Sequence, residues 1–359
     1  SMVGGLIALP LSSTVLILFT VSLVMRFGPK RLMLATWLIR NFVTAIVFLV
    51  PVALNHGGSE VAGYVFFFAI ASYCIIRSAG VGGWLPWLHE IIPKEKRDAY
   101  FSMETSVAQI TNVGISLSQA FILGENPTMN NFLIIYAIGI IAGMISLYFM
   151  SRVPGGAGVK EKVSFKQSLK TYPVVLRDKK FTAFVISESL CWCALSCYWS
   201  ANVMYMRDLL HLSDRSIMMI AASGSFFVFL TVRAWGRFAE HNGRGEALFL
   251  TMLAQSVVVG SCIFIPAQSP YALWLAGGTF VLATVFGVAH WTLSHGAALS
   301  FVNEEAKVGY TNVWALSSSL ALGLTAVLVG VIIDYAGMER GFRICFALSA
   351  IIGSICSFT

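Results

Sequence analysis

Long apolar stretches separated by short polar connections run along the whole chain of 359 residues. About 20 mostly apolar residues are enough for a helix to cross the hydrocarbon core of a bilayer. The pattern therefore predicts an all-α, polytopic membrane protein with eleven spans. The predicted spans are 3–25, 32–54, 61–91, 99–123, 130–151, 181–204, 215–236, 246–266, 270–300, 309–334 and 340–359.

Basic residues are concentrated in alternate connections between these spans. Hydrophobic residues make up 57% of the chain and charged residues 11%, with a net charge of +7. Most of the Lys and Arg residues fall on one set of connections, which includes 26–31 and 152–180, whereas the opposite set holds only Arg207, Arg215 and Arg340. Cytoplasmic loops carry such an excess. The bias predicts that 152–180 is cytoplasmic, and it explains the positive charge without a nucleic-acid partner. The expected location is the plasma membrane, a bacterial inner membrane.

The two halves of the chain repeat. Residues 93–100 resemble 303–310, and residues 26–28 resemble 241–243 at a similar offset. Duplication of a six-helix unit is a known transporter architecture. The repeat predicts two helical bundles related by a pseudo-two-fold axis. Their boundaries are 1–151 for the first bundle, 152–180 for the linker and 181–359 for the second bundle.

The connection that follows span 215–236 carries glycines and charges at fixed spacing. Gly236, Glu240, Gly243 and Arg244 match the pattern G-x-x-x-D-R-x-G-R-R. This loop resembles the signature of the major facilitator superfamily, in which it joins the second and third helices of each half.

A weaker copy lies in the first half. Arg26, Gly28 and Lys30 match the pattern, whereas Val21 and Met25 stand where the family has its first glycine and its acid. The resemblance implies two pseudo-symmetric six-helix bundles, with eleven helices present, the first one missing and the last one shortened. It also implies that the loops latch one conformation. The alternative is that these bases only fix the topology. The latch residues are Arg26, Gly28, Gly236, Glu240, Gly243 and Arg244.

Polar and aromatic side chains recur at helical spacing inside four spans. Such groups are costly in hydrocarbon and usually face a bundle interior or a watery cavity. The resemblance implies that several of these spans line a central cavity. The candidate cavity residues are Tyr73, Arg77, Trp84, Asn112, Gln119, Glu188, Trp192 and His290. Arg77 lies near the middle of its span and stays charged, so we expect it to contact an anionic or strongly polar group of a solute.

Several of these residues also have a structural interpretation. The polar face with Asn112 and Gln119 is equally suited to hydrogen bonds between helices. Glu188 is a candidate proton carrier. His290 could respond to pH, but a hydrogen-bonded structural histidine is the more common case.

The sequence predicts neither a metal site nor a cofactor. All seven cysteines fall in apolar stretches and are expected to be small buried hydrophobic residues. His290 and His295 project from different faces of a helix, and of three nearby cysteines only Cys193 and Cys197 share a face.

The predicted function is secondary active transport of a small solute by alternating access, coupled to a proton or another cation. No P-loop, dinucleotide fingerprint or nucleophile elbow is present, which disfavours an enzyme. One alternative is a non-transporting receptor or assembly factor of the same fold. Drug efflux is another alternative, although the glycine-proline motif of drug–proton antiporters is absent from 107–124. The expected partners are the solute and membrane lipid, and the expected state is a monomer.

Overall fold

The computed structural model describes residues 16–93, 96–157, 171–265, 271–302 and 306–358, and these residues are mainly helical. The α-helices, numbered in chain order, are α1 Ile17–Phe27, α2 Pro29–Thr44, α3 Val50–Val81, α4 Trp84–Ile91, α5 Arg97–Leu123, α6 Met129–Arg152, α7 Thr171–Arg177, α8 Lys179–Met204, α9 Asp214–Asn242, α10 Arg244–Ser261, α11 Ala272–Ser300, α12 Lys307–Ala336 and α13 Met338–Ser357. A π-helical turn, Tyr205–Leu209, extends α8.

The described part of the chain contains nine stretches that are long and apolar enough to cross a membrane. One of them, Pro29–Ile91, is 63 residues long and includes two of the predicted spans. The first predicted span, 3–25, falls mostly outside the described residues. The prediction of a polytopic, all-α membrane protein is confirmed.

A turn at Gly58, in the first third of α3, divides the long stretch. Gly58 has φ 74° and ψ −174°, far from helical values, and an L side chain rarely adopts this positive φ. Val47 and Val50 on one side of the turn pack in one cluster with Ala62 and Ala69 on the other side. The chain therefore folds back at Gly58, where the sequence places a connection.

The third predicted span is interrupted near its end, because α3 stops before Gly82 and α4 begins after Gly83. A Cβ atom added at Gly82 would lie 2.1 Å from the Oγ1 atom of Thr20, and one added at Gly83 would lie 2.8 Å from the carbonyl oxygen of Pro29. The neighbouring helices come so close that only glycine fits. Trp84 therefore begins a new helix and does not continue the helical face of α3.

Two glycines turn the chain in the same way at related places. Gly28 joins α1 to α2 with φ 84° and ψ 146°, and Gly243 joins α9 to α10 with φ 103° and ψ 144°. The N–H of Gly28 donates to the oxygen of Val24 at 2.8 Å, and the N–H of Gly243 donates to the oxygen of Ala239 at 3.1 Å. The two loops that the sequence repeat pairs thus share one backbone conformation.

Contacts within the chain define two compact units. Unit 1 comprises residues 1–93, 127–182 and 301–323, and unit 2 comprises residues 94–126, 183–300 and 324–359. Unit 1 contains α2, α3 and α6, and unit 2 contains α5, most of α8, and α9, α10, α11 and α13. The division into bundles at the 152–180 linker is a different one, drawn from the repeat, and stays a prediction.

Candidate functional site

A buried group of polar side chains lies inside unit 2. Glu188 and Cys191 come from α8, where a spacing of three residues puts them on one face, and His290 comes from α11. Their exposed fractions are 5%, 3% and 2%. One atom of each residue, a carboxylate oxygen, the sulfur and an imidazole nitrogen, lies within 4.8 Å of the other two.

Glu188 and His290 both lie far from the ends of their helices. With a rise of 1.5 Å per residue, Glu188 lies about 14 Å along α8 from Lys179, and His290 about 15 Å along α11 from Ser300. Half of the hydrocarbon thickness is also about 15 Å. These ionisable groups therefore lie deep within spanning helices.

The hydrogen-bond pattern around His290 orients its ring. The hydroxyl of Thr251 donates to the carbonyl oxygens of Ala247 at 2.8 Å and Leu248 at 3.0 Å, so its oxygen is left to accept. This oxygen lies 3.5 Å from Nδ1 of His290. We therefore assign the proton to Nδ1, which leaves a lone pair on Nε2 facing Oε1 of Glu188 at 3.4 Å. Two electron-rich atoms at this distance favour a cation between them.

Several buried atoms on α8, α10 and α11 have no hydrogen-bond partner among the described residues. They are Oε2 of Glu188, Nε2 of His290, both amide atoms of Gln255 and Nε1 of Trp192. Gln255 lies one turn beyond Thr251 on α10 and is 2% exposed. Buried polar atoms in proteins are nearly always satisfied, so this group is suited to hold a ligand or water.

Aromatic rings and a second thiol lie beside residues of the group. The ring of Trp192 packs edge-on against Trp291 at 4.9 Å between centroids, and Trp291 stacks on His295 at 5.3 Å. The thiol of Cys191 is hydrogen-bonded to that of Cys356 on α13. The near-complete burial of Glu188, Cys191 and His290 keeps bulk water away and strengthens the electrostatic interactions of any bound ion.

The candidate residues on α3 lie in unit 1, beside a second arginine. The guanidinium of Arg40 on α2 lies 4.4 Å from the ring centre of Trp37 and 5.5 Å from that of Tyr73. It is also close enough to Arg77 for their charges to repel. Arg77 itself is exposed, and within the described ranges neither arginine has an ion-pair partner. Two uncompensated guanidinium groups on spanning helices favour binding of an anion.

Trp84 has a packing role on α4. It is half-buried and meets Trp87 edge-on at 6.2 Å between ring centres. Trp87 in turn donates from Nε1 to the oxygen of Pro154 at 3.0 Å. The short helix α4 therefore anchors the segment that follows α6.

The polar face of α5 is more open than the group around Glu188. Asn112 is exposed and Gln119 is half-buried. Near the start of the same helix, the hydroxyl of Thr105 lies 3.0 Å from that of Thr292 on α11. This contact supports hydrogen bonding between helices at that end of the face, whereas a cavity role for Asn112 and Gln119 stays a prediction.

The residues predicted to form a latch surround the two glycine turns. A Cβ atom at Gly236 would lie 2.3 Å from Oγ of Ser102, so this glycine allows α9 to approach α5 closely. Arg26 and Glu240 are exposed, and Arg244 is half-buried. Close packing of α9 against α5 thus accounts for glycine at position 236. The latch role of the charged residues stays a prediction.

Sequence reasoning missed part of the buried group. It selected Glu188, Trp192 and His290 but not Cys191, Thr251 or Gln255. Thr251 on α10 meets His290 on α11, and Cys191 on α8 comes close to the same histidine. Local spacing gives no signal for such approaches between helices. The sequence feature that could have indicated Cys191 is Glu188, because the two residues lie on one face of α8.

The sequence model of the Major Facilitator Superfamily matches residues 1–308. The chain belongs to this superfamily. The match confirms the resemblance predicted from the loop at Gly236 to Arg244. No curated protein matches the chain.

Solved structures of superfamily transporters share the fold. A bacterial homologue of the iron transporter ferroportin, in the outward-facing state with soaked iron, is 13% identical with a TM-score of 0.70, covering 98% of this chain and 89% of that one. The human organic anion transporter MFSD10 is 13% identical with a TM-score of 0.70, covering 99% and 83%. The E. coli fucose:proton symporter FucP is 13% identical with a TM-score of 0.63, covering 98% and 88%. Superfamily membership points to membrane transport of small solutes and to a non-enzymatic protein.

Proposed function

We propose that the chain is a secondary active transporter that moves a small solute across the plasma membrane by alternating access and is coupled to a cation. The bundles 1–151 and 181–359 move against each other in this cycle, and the linker 152–180 lies in the cytoplasm. The observation that carries the proposal is the buried pair of Glu188 and His290 in the spanning part of unit 2.

The pair supports a transporter better than a non-transporting relative. A carboxylate inside a spanning helix is costly and persists when function requires it. Oε2 of Glu188 and Nε2 of His290 have no hydrogen-bond partner in the described part of the chain, so both are left to contact a cation. A cation that binds and leaves during transport accounts for this arrangement.

The two arginines of unit 1 supply the proposed contact with the solute. Arg77 is exposed, and Arg40 lies near it against two aromatic rings. A guanidinium keeps its charge and binds carboxylate or phosphate groups through two parallel hydrogen bonds. We therefore propose a solute with an anionic or strongly polar group, bound by Arg77.

Uptake into proteoliposomes tests this function. Labelled carboxylates, phosphorylated compounds, sugars and cationic drugs are offered to vesicles containing the purified chain, with and without a cation gradient. The proposal expects gradient-dependent uptake of an anionic or strongly polar solute, lost in Glu188→Gln while size-exclusion chromatography shows a folded protein. A solute that binds with no flux under any gradient would show a receptor and overturn the proposal.

A further inference from the structure

We propose that Glu188, Cys191 and His290 form a binding site for a divalent transition-metal ion. The inference deepens the proposed function, because it names the class of the coupling cation, and that coupling role rests on the chain being a transporter. Binding of the ion itself does not depend on transport.

The distances fit a metal centre with little rearrangement. Two ligands that each lie about 2.0–2.1 Å from a tetrahedral ion lie about 3.3 Å from one another. Nε2 of His290 and Oε1 of Glu188 are 3.4 Å apart. The sulfur of Cys191 is within 4.8 Å of both, so a rotamer adjustment of about 1 Å brings it to bonding distance.

The ligand set selects the class of ion. One imidazole nitrogen, one thiolate sulfur and one carboxylate oxygen suit zinc and its neighbours such as cobalt or ferrous iron. Calcium and magnesium prefer shells made of oxygen atoms and have little affinity for sulfur. The site is therefore expected to discriminate against the abundant hard cations.

Thr251 holds the ring of His290 in the tautomer that binds metal through Nε2. Histidine ligands usually donate their other ring N–H to an oxygen, which fixes the tautomer and the ring orientation. The hydroxyl oxygen of Thr251 lies 3.5 Å from Nδ1 of His290 and can accept this proton. Nε2 is then the free lone pair, and it is the atom that faces Glu188.

Three protein ligands leave a fourth position open. Structural zinc sites are closed by four protein ligands, whereas sites that exchange a ligand keep one position open. An open position allows the ion to enter and leave, as a coupling ion must. When the ion binds, the thiol of Cys191 loses its proton to the buffer and the sulfur bonds to the metal.

Titration calorimetry with Zn²⁺ on the full chain purified in detergent tests the site. The wild type is expected to bind a single high-affinity equivalent. Cys191→Ser, His290→Gln and Glu188→Gln should each weaken binding by about tenfold or more. Cys193→Ser is the matched control, because Cys193 lies on the opposite face of α8, and it should bind as the wild type does. Equal affinity in the three site variants and the control would overturn the proposal.

Co²⁺ gives a spectroscopic readout on the wild type itself, and two variants then assign the sulfur. The wild type loaded with Co²⁺ should show a sulfur-to-cobalt charge-transfer absorption and the visible bands of a tetrahedral centre. The charge-transfer absorption should persist in Cys193→Ser and vanish in Cys191→Ser. Its absence from the wild type would overturn the site.

The experiments can contradict the metal-site proposal and the transport proposal independently of each other. A chain that binds Zn²⁺ at these residues but moves no solute in proteoliposomes contradicts the transport proposal and keeps the site. A chain that transports under a proton gradient and binds no Zn²⁺ contradicts the site and keeps the transport proposal.

Discussion

Nε2 of His290 lies 3.4 Å from Oε1 of Glu188, between two spanning helices of unit 2. Both residues are almost fully buried, and the opposite nitrogen of the ring faces the hydroxyl of Thr251. The arrangement places two electron-rich atoms against each other in a medium where charge is costly. It explains why a cation, once bound there, would be held strongly.

The contact between Thr251 and His290 gives the first prediction. Thr251→Val keeps the shape of the side chain but removes the oxygen that orients the ring, so we expect Zn²⁺ affinity to fall by about tenfold to a hundredfold. Thr251→Ser restores the oxygen and should bind as the wild type does. Calorimetry measures both, and an unchanged affinity in Thr251→Val would show that the ring needs no such support.

Arg77 gives the second prediction. Arg77→Lys keeps the charge but loses the planar donor pair, so we expect weaker uptake of an anionic solute with folding preserved. Arg77→Ala should abolish uptake. Arg31→Lys, at the exposed start of α2, is the control and should transport normally. Normal uptake by Arg77→Ala would remove Arg77 from the solute site.

Gly243 gives the third prediction. A Cβ atom there would meet no atom of the described residues within 4 Å, so its positive φ of 103° is what resists substitution. Gly243→Ala should destabilise the protein by about 1–3 kcal/mol. Gly245→Ala is the control, because Gly245 lies in the first turn of α10 and an added Cβ atom meets no described atom within 4 Å, and it should not destabilise the protein. Thermal unfolding in detergent measures both, and equal melting temperatures would contradict the strain argument.

Asp178 gives a prediction on pH. The backbone N–H of Phe181 donates to its carboxylate at 3.2 Å, and the hydroxyl of Tyr310 donates at 3.0 Å; these bonds hold the pKa of Asp178 below its usual value. A lowered pKa in the folded state stabilises the fold above the unfolded pKa of about 3.9, and this stabilisation is lost as the pH falls through the folded pKa.

Asp178→Asn should therefore lower the melting temperature at neutral pH. The difference from the wild type should shrink as the solution is acidified below about pH 4, because the wild-type carboxylate then takes up a proton. Melting curves over a series of buffers test this, and a difference that grows on acidification would contradict the assignment.

The helical membrane fold could be predicted because its signal is local. Apolar length marks each span, and the fold-back at Gly58 occurs where polar residues interrupt the hydropathy pattern. The break after Val81 could not be predicted in the same way. The break lies where Gly82 comes close to Thr20 and Gly83 comes close to Pro29. Both partners are distant in sequence from the break.

The candidate site was predictable only in part for the same reason. The helical spacing of polar and aromatic residues on α8 predicts Glu188 and Trp192 as site residues. The presence of a polar side chain inside a span predicts His290. A pattern along one helix does not relate Cys191 on α8 to His290 on α11, so the sequence predicts no metal site there. Such a site depends on how α8 packs against α11, which no single-helix pattern contains.

Counterflow tests the central claim of alternating access most directly. Proteoliposomes loaded with the unlabelled solute are diluted into a trace of the labelled solute, without any ion gradient. A carrier that exposes its site to each side in turn should accumulate label transiently above its equilibrium level. A channel would only equilibrate the label, and a receptor would bind it without uptake into the lumen. Transient accumulation by the wild type is the predicted result, and its absence with a solute that binds the protein would contradict the account.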